Sequence, residues 1–155
     1  MIKILMPYEM QRRLFKHLKM AAVQEIGGIL MGEHIEDGVF RIWDVTVQHQ
    51  GGTWISFLRK IDGSLRNSLQ RFFLSTRQQY TKYNYLGEWH SHPSFALIPS
   101  SCDQDSMWNI VNDPLVGANF AVLLILKVQK ENLAGNVFIF APGYEMIPGE
   151  LVLEG

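Results

Sequence analysis

One segment of the chain reads Gly87-Glu88-Trp89-His90-Ser91-His92-Pro93. Side chains two positions apart on a β-strand point to the same face of the sheet. If this segment is a strand, His90 and His92 aim both imidazoles at one point. Pro93 is expected to end the strand, because proline cannot donate a backbone hydrogen bond to a neighbouring strand.

A serine and an aspartate follow this segment at Ser100 and Asp103. Two imidazoles and one carboxylate make three protein ligands, which leave the fourth position of a zinc ion open to water, as in catalytic sites. We therefore expect one zinc ion per chain, bound by His90, His92 and Asp103. The Ser100-x-x-Asp103 spacing also fits a helix-capping box with aspartate in place of glutamate, so this half of the motif has a structural alternative.

The spacing His-x-His, seven residues, Ser, two residues, Asp resembles that of the JAMM metalloproteases, also called JAB or MPN-plus. That family carries an upstream glutamate before a glycine-rich strand, matched here by Glu25-Ile26-Gly27-Gly28-Ile29-Leu30-Met31-Gly32. The resemblance covers nearly the whole chain. It implies that His90, His92 and Asp103 bind zinc, that Glu25 is the general acid and base, and that Ser100 stabilises the oxyanion. Alone, Glu25 also fits a surface charge at a strand end.

The resemblance also implies a substrate. Family members mostly hydrolyse the bond after the C-terminal glycine of ubiquitin or a ubiquitin-like protein. The segment at 87–93 is most similar to a bacterial group, some of whose members accompany ubiquitin-like conjugation machinery in antiviral defence (CBASS) operons. A deconjugating or precursor-processing peptidase is therefore expected. Two alternatives stay open: a metallopeptidase that processes a sulfur-carrier protein, and a metal-free scaffold of the same fold.

An extended tail that ends in glycine can add as a strand along a sheet edge. The segment Trp54-Ile55-Ser56-Phe57-Leu58-Arg59 and the loop 94–99 are the candidate walls of such a channel. Phe57 and Arg59 fit a Ser-Phe-x-Arg pattern that resembles one in the bacterial group, although an ordinary edge strand explains them equally well. The apolar stretch 95–98 fits core packing as an alternative.

Composition narrows the class of protein. The chain has 155 residues, 47% hydrophobic and 19% charged, which suits one compact domain over 1–155. A net charge of −1 with no basic stripe argues against nucleic acid as a partner, and no apolar run is long enough to span a membrane. Cys102 is the single cysteine, which favours a reducing cytoplasm. No thiol-protease motif surrounds it, so we treat it as neither nucleophile nor ligand. The oligomeric state is left open.

Hydrophobic periodicity predicts an alternation of helices and strands. Helices are predicted at about 7–23, 65–80 and 103–111, and strands at about 25–31, 39–47, 85–92, 120–127, 136–141 and 147–153. The Asp37-Gly38 pair predicts a hairpin turn. This order predicts an α/β fold with a curved, mainly antiparallel mixed sheet flanked by helices. The resemblance implies a single JAB/MPN domain of the cytidine-deaminase-like type.

Overall fold

The computed structural model of the protein describes residues 1–49, 71, 74, 76–77, 79, 81–94, 96–114 and 119–155. The helices are α1 Tyr8–Ala21 and α2 Ser101–Val111. The strands are β1 Lys3–Met6, β2 Gly27–Glu36, β3 Val39–Val45, β4 Tyr83–Ser91, β5 Ala121–Gln129, β6 Asn132–Phe140, β7 Ile147–Pro148 and β8 Glu150–Leu153. The segment 54–59, with Phe57 and Arg59, lies outside the described residues, as does most of the helix predicted at 65–80.

The eight strands form one mixed sheet in the order β7-β6-β5-β4-β2-β3-β1-β8. The four pairings β2–β3, β2–β4, β5–β6 and β6–β7 are antiparallel, and the three pairings β1–β3, β1–β8 and β4–β5 are parallel. The predicted fold class is therefore confirmed.

Helix α1 packs its apolar stripe against one face of the sheet. Met10, Leu14 and Leu18 recur every four residues, so they lie on one side of the helix and are all buried. The sheet curls around this stripe, because the same core cluster takes in side chains from six strands, which are Ile4, Leu30, Ile42, Leu86, Leu124 and Val137. The curved sheet predicted from the sequence is thus built around α1.

Helix α2 covers the opposite face. Its buried residues Met107, Ile110 and Val111 pack with Leu123 and Ile125 of β5. The neighbouring residues of β5 belong to the cluster around α1, so alternate side chains of this strand serve two cores. The sequence of a strand that is buried on both faces is a nearly continuous run of apolar residues.

The two ends of the sheet are joined by the last strands. β7 pairs with β6, and β8, which begins two residues later, pairs with β1 at the other end of the sheet. Gly149 lies between them and donates a backbone hydrogen bond to Val137 O at 2.8 Å. The sheet is therefore nearly closed, and the single strand predicted at 147–153 is in fact two strands.

Several predicted boundaries are wrong, and one strand was missed. β2 ends at Glu36 rather than at residue 31, and β6 begins at Asn132 rather than at residue 136. β2 begins at Gly27 and not at residue 25, so Glu25 stands before the strand rather than within it. β3 ends at Val45, two residues early. β1 was not predicted because it is only four residues long and both of its partners are distant in sequence.

Candidate metal centre

Strand β4 positions the two histidines. His90 lies within the strand, and His92 follows its last residue, with the backbone aligned by a hydrogen bond from His92 N to Leu126 O at 2.9 Å. Both imidazoles therefore point to the α2 side, while Ser91 between them points away. Both side chains are buried, with exposures of 2% and 3%.

The first turn of α2 brings the carboxylate of Asp103 to this pair. The two Nε2 atoms of His90 and His92 are 3.0 Å apart, and each lies 3.4 Å from Asp103 Oδ2. Zn–N bonds of about 2.0–2.1 Å in a tetrahedron put neighbouring donor atoms about 3.3 Å apart. The three donor atoms thus have the mutual spacing of one face of a zinc tetrahedron, and the predicted juxtaposition of these residues is confirmed.

Groups behind the donor atoms hold two of the three ligands in place. His92 Nδ1 lies 2.9 Å from Ala96 O, so Nδ1 carries a proton and Nε2 is the nitrogen turned toward the other two donor atoms. Asp103 Oδ2 accepts a hydrogen bond from Ser100 N at 2.8 Å, and Ser100 Oγ accepts one from Asp103 N at 3.0 Å. The capping box of α2 is therefore present, and it also aims the Asp103 carboxylate.

The electrostatics favour a positive charge at the centre of the cluster. Burial raises the pKa of Asp103, but hydrogen bonds from His90 and His92 lower it much more, so the pKa lies far below its usual range. Burial lowers the pKa of His92, yet hydrogen bonds to Asp103 and to Ala96 O, with the charges of Asp103 and Glu25, raise it above its ordinary value. Such a site attracts positive charge, whether a proton or a divalent cation.

The backbone next to Glu25 is tied to the strand that carries the histidines. Ile26 N donates to Ser91 Oγ at 3.0 Å, and Ser91 N donates to Ile26 O at 2.9 Å. These reciprocal bonds tie the chain one residue after Glu25 to the residue between His90 and His92. The Glu25 carboxylate is half-buried, and its charge is felt by His92.

The other residues singled out in the sequence do not belong to the cluster of three donor atoms. Ser100 is exposed, and its Oγ already accepts a capping bond, which leaves its hydroxyl hydrogen to donate elsewhere. Cys102 is exposed and does not belong to the donor cluster. In the loop 94–99, Leu97 packs against the core cluster under α2, whereas Ile98 is 62% exposed. The described residues of this loop therefore divide between core packing and surface.

The glycine pair Gly27-Gly28 makes room for neighbouring backbone. A Cβ on Gly27 would meet the carbonyl of Trp89 and the side chain of His90, and one on Gly28 would meet the carbonyl of Thr46. The space beside these glycines is filled by the protein's own backbone rather than left for a substrate. They allow β4 and residue 46 to approach β2 closely.

Two groups near the histidines were not predicted from the sequence. Ala96 contributes a backbone carbonyl, which any residue would supply, so no sequence pattern reveals it. Glu88 is a carboxylate with 2% exposure on the same face as His90. After burial, its charge is the second cause that raises the pKa of Tyr85. The spacing of positions 88, 90 and 92 could have indicated that Glu88 shares the face of the two histidines.

Residues 7–138 match the family described as prokaryotic homologues of the JAB domain. The chain belongs to this family. This JAB domain is 26% identical over 91 residues to the 26S proteasome regulatory subunit rpn11 of Schizosaccharomyces pombe, covering 59% of the chain. It is 28% identical over 92 residues to the ubiquitin carboxyl-terminal hydrolase RPN11 of Saccharomyces cerevisiae, again covering 59% of the chain. The matched region spans 28% of the length of each relative.

Two solved structures share the fold. Protein DSY2949 from Desulfitobacterium hafniense superposes with a TM-score of 0.65 and 16% identity, covering 97% of this chain and 92% of that one. A protein from Salinibacter ruber gives a TM-score of 0.54 and 18% identity, with coverage of 96% and 90%. Among the residues described, none of the helices of this JAB domain has the length and apolar character needed to cross a bilayer.

Proposed function

We propose that this JAB domain is a zinc-dependent peptidase or isopeptidase that hydrolyses the bond after the C-terminal glycine of a ubiquitin-like protein, in bacterial antiviral defence. One observation carries the proposal: the donor atoms of His90, His92 and Asp103 lie 3.0–3.4 Å from one another in a buried site. The similarity to a ubiquitin carboxyl-terminal hydrolase supports the substrate class. The bacterial and cytoplasmic setting follows from the sequence resemblance and from the single cysteine.

His90, His92 and Asp103 would hold the zinc ion. When bound, zinc acts as a Lewis acid and lowers the pKa of a coordinated water to about 7. The carbonyl of Ala96 keeps the Nδ1 proton of His92 in place, so that the Nε2 lone pair stays available. The capping bond from Ser100 N fixes the rotamer of Asp103. These second contacts make the site rigid before substrate arrives.

Glu25 takes the proton of the attacking water and passes it to the departing amine. A carboxylate in this role must stand within hydrogen-bonding reach of the water. The backbone bonds between Ile26 and Ser91, which tie the residue after Glu25 to the strand of His90 and His92, support this role. The hydroxyl of Ser100, which has its hydrogen free of the capping bond, donates to the oxyanion that forms when the carbonyl is attacked. No covalent intermediate with the protein is needed.

The test uses a ubiquitin-like protein, ubiquitin itself or one encoded beside the gene, fused through its final glycine to a reporter peptide. Mass spectrometry of the products should place the cut directly after that glycine. Glu25→Gln should lower kcat by about 100- to 10,000-fold, the usual contribution of a general acid–base group, with zinc content unchanged. Glu36→Gln, an exposed carboxylate on the far end of β2, is the matched control and should leave kcat unaltered.

Replacing the final glycine of the tail by a bulky residue should block cleavage. Products cut elsewhere, or indifference to that glycine, would reject the substrate class while leaving the metal chemistry intact. Full activity of Glu25→Gln would remove this residue from the mechanism.

A further inference from the structure

A concave site lies on the α1 side of the strand that carries the metal centre. It is a cleft of about 330 Å³ between the C-terminal end of α1 and the ends of β4 and β5. This volume is at the lower limit of ligand pockets, which suits one or two side chains rather than a cofactor. Leu18, Ala22, Pro93 and Val128 form its apolar part, and about half of the surface that lines it is polar.

The cleft and the metal centre share one stretch of backbone. Ser91 lines the cleft and lies between His90 and His92, and Pro93, which follows them, lines it as well. Ser91 is buried, and its Oγ accepts from Ile26 N, so its hydroxyl hydrogen is left to donate toward the cleft. A chain that crosses the end of β4 therefore reaches both sites.

The charged side chains that line the cleft are basic. Lys19 and Lys127 line it, and none of the lining residues that the structure describes is acidic. Neither lysine forms an ion pair with any residue in the described part of the chain. Val23, directly after the lining residue Ala22, is 80% exposed. The Lys19 ammonium lies 5.9 Å from the centre of the Phe15 ring, a contact that does not neutralise its charge. Two ammonium groups without an acidic partner among the described residues, apolar side chains in the wall and an exposed apolar neighbour suit an acidic side chain that stands next to an apolar one.

The position of the loop 94–99 decides which part of a substrate enters the cleft. Ala96 O contacts His92, and Leu97 packs under α2, so this loop lies on the α2 side of β4. The proposed channel for the glycine tail therefore lies on that side. The cleft belongs to the α1 side, where Leu18 and Lys19 are located. The segment beyond the scissile bond is the part of the substrate that remains to fill it.

We propose that this cleft binds an acidic residue on the leaving-group side of the substrate. This inference rests on the proposed function for the direction of the chain. The ends of side chains on the two faces of a strand are on the order of 10 Å apart, and about three extended residues span this distance. The acidic residue should thus fall within about three positions of the scissile bond.

Binding is measured first, because it needs no turnover. A hexapeptide with glutamate at its second and third positions, each beside a valine, is titrated into ¹⁵N-labelled protein. A second peptide has glutamine at both positions. The acidic peptide should shift the amide signals of Ser91, Lys127 and Val128, and it should bind more tightly than the neutral one. The net charge of the whole chain is −1, so general attraction does not explain such a preference.

The double variant Lys19→Gln/Lys127→Gln should weaken binding of the acidic peptide about three- to tenfold, because it removes two exposed ion pairs. Binding of the neutral peptide should be unaffected. Lys16→Gln/Lys130→Gln removes two exposed lysines that do not line the cleft, and it is the matched control. Equal binding of both peptides overturns the proposal, as does an equal loss in the control variant.

Cleavage of fusions with the same two extensions separates this inference from the proposed function. Charge-selective binding without any cleavage would reject the peptidase and keep the cleft. Cleavage of both fusions at one rate, with no selective binding, would reject the cleft and keep the peptidase. Faster cleavage of the acidic fusion, lost only in Lys19→Gln/Lys127→Gln, supports both.

Discussion

His92 is the most constrained of the proposed ligands. Its Nδ1 contacts Ala96 O at 2.9 Å, and its Nε2 faces His90 Nε2 at 3.0 Å and Asp103 Oδ2 at 3.4 Å. A ring held at both nitrogens has little rotamer freedom to lose when a cation binds. This preorganisation distinguishes it from His34, which is exposed and stacks on Phe40.

Replacing His92 by alanine should therefore remove the metal without unfolding the protein, since His92 belongs to neither hydrophobic core cluster. We expect about one zinc per chain in the wild type. Loss of a group behind a ligand costs 10- to 100-fold in metal affinity, so loss of a ligand should cost at least about 100-fold. Elemental analysis after dialysis against a weak chelator measures the content, and circular dichroism checks the fold.

His34→Ala is the matched control for this variant and should retain its zinc. Full zinc content in His92→Ala would reject His92 as a ligand, and zinc loss from both variants would point to non-specific binding.

At the scale of single elements, helix α2 has two tasks at its first turn. The capping box between Ser100 and Asp103 satisfies backbone N–H groups that a helix start leaves unpaired. The same bonds direct Asp103 Oδ2 to the histidines. The capping interpretation and the catalytic interpretation of this motif are therefore compatible, and only a graded set of variants separates them.

We expect Ser100→Ala, Ser100→Gly and Ser100→Thr to divide the two roles. Alanine loses the cap and the hydroxyl, so unfolding free energy should fall by about 1 kcal/mol. Glycine is a tolerable cap and should cost only a few tenths of a kcal/mol. Both should lower kcat by about 100- to 1,000-fold if the hydroxyl stabilises the oxyanion. Threonine keeps both functions. Thermal unfolding and steady-state kinetics on the same samples give the two quantities.

A kcat for Ser100→Gly close to that of the wild type would leave Ser100 with capping alone. A kcat that falls in proportion to zinc content would instead assign the effect to a misplaced Asp103.

The elements that carry the metal centre could be predicted because their signals are local. The alternation at 90 and 92, the proline at 93 and the capping residues at 100 and 103 each act within a few residues. Glu25 was found only through the family resemblance, and its placement depends on a clamp between residues 26 and 91. What approaches Gly27 could not be predicted, because the atoms that it accommodates belong to another strand.

The whole molecule depends on contacts that no local pattern encodes. The missed strand β1 pairs in parallel with both β3 and β8, and it joins the first residues of the chain to the last strand. Glu154, just beyond β8, fastens this junction: its backbone N donates to Met6 O at 2.9 Å, and its O accepts from Gln11 Nε2 at 2.7 Å. Near closure of the sheet is a property of distant partners, which sequence periodicity cannot supply.

The Glu154 side chain adds an ion pair to this junction. Arg41 of β3 holds it with Nε at 2.9 Å from Oε1 and Nη2 at 3.1 Å from Oε2. The hydrogen bond from Arg41 is the main cause that lowers the pKa of Glu154, and burial opposes it. A carboxyl group whose folded pKa is depressed stabilises the fold above its unfolded pKa, about 4.3 for glutamate, and this stability is lost as pH falls through the folded pKa.

Glu154→Gln should therefore lower the free energy of unfolding at pH 7 by about 0.5–1 kcal/mol, a modest value because about a third of each side chain is exposed. Below about pH 4 the difference from the wild type should shrink, since the wild-type carboxyl becomes neutral as well. Urea denaturation at both pH values measures it. Glu145→Gln, an exposed carboxyl in the turn before β7, should change neither value. A loss for Glu154→Gln that is equal at both pH values would show that the junction depends on the shape of this side chain and not on its charge.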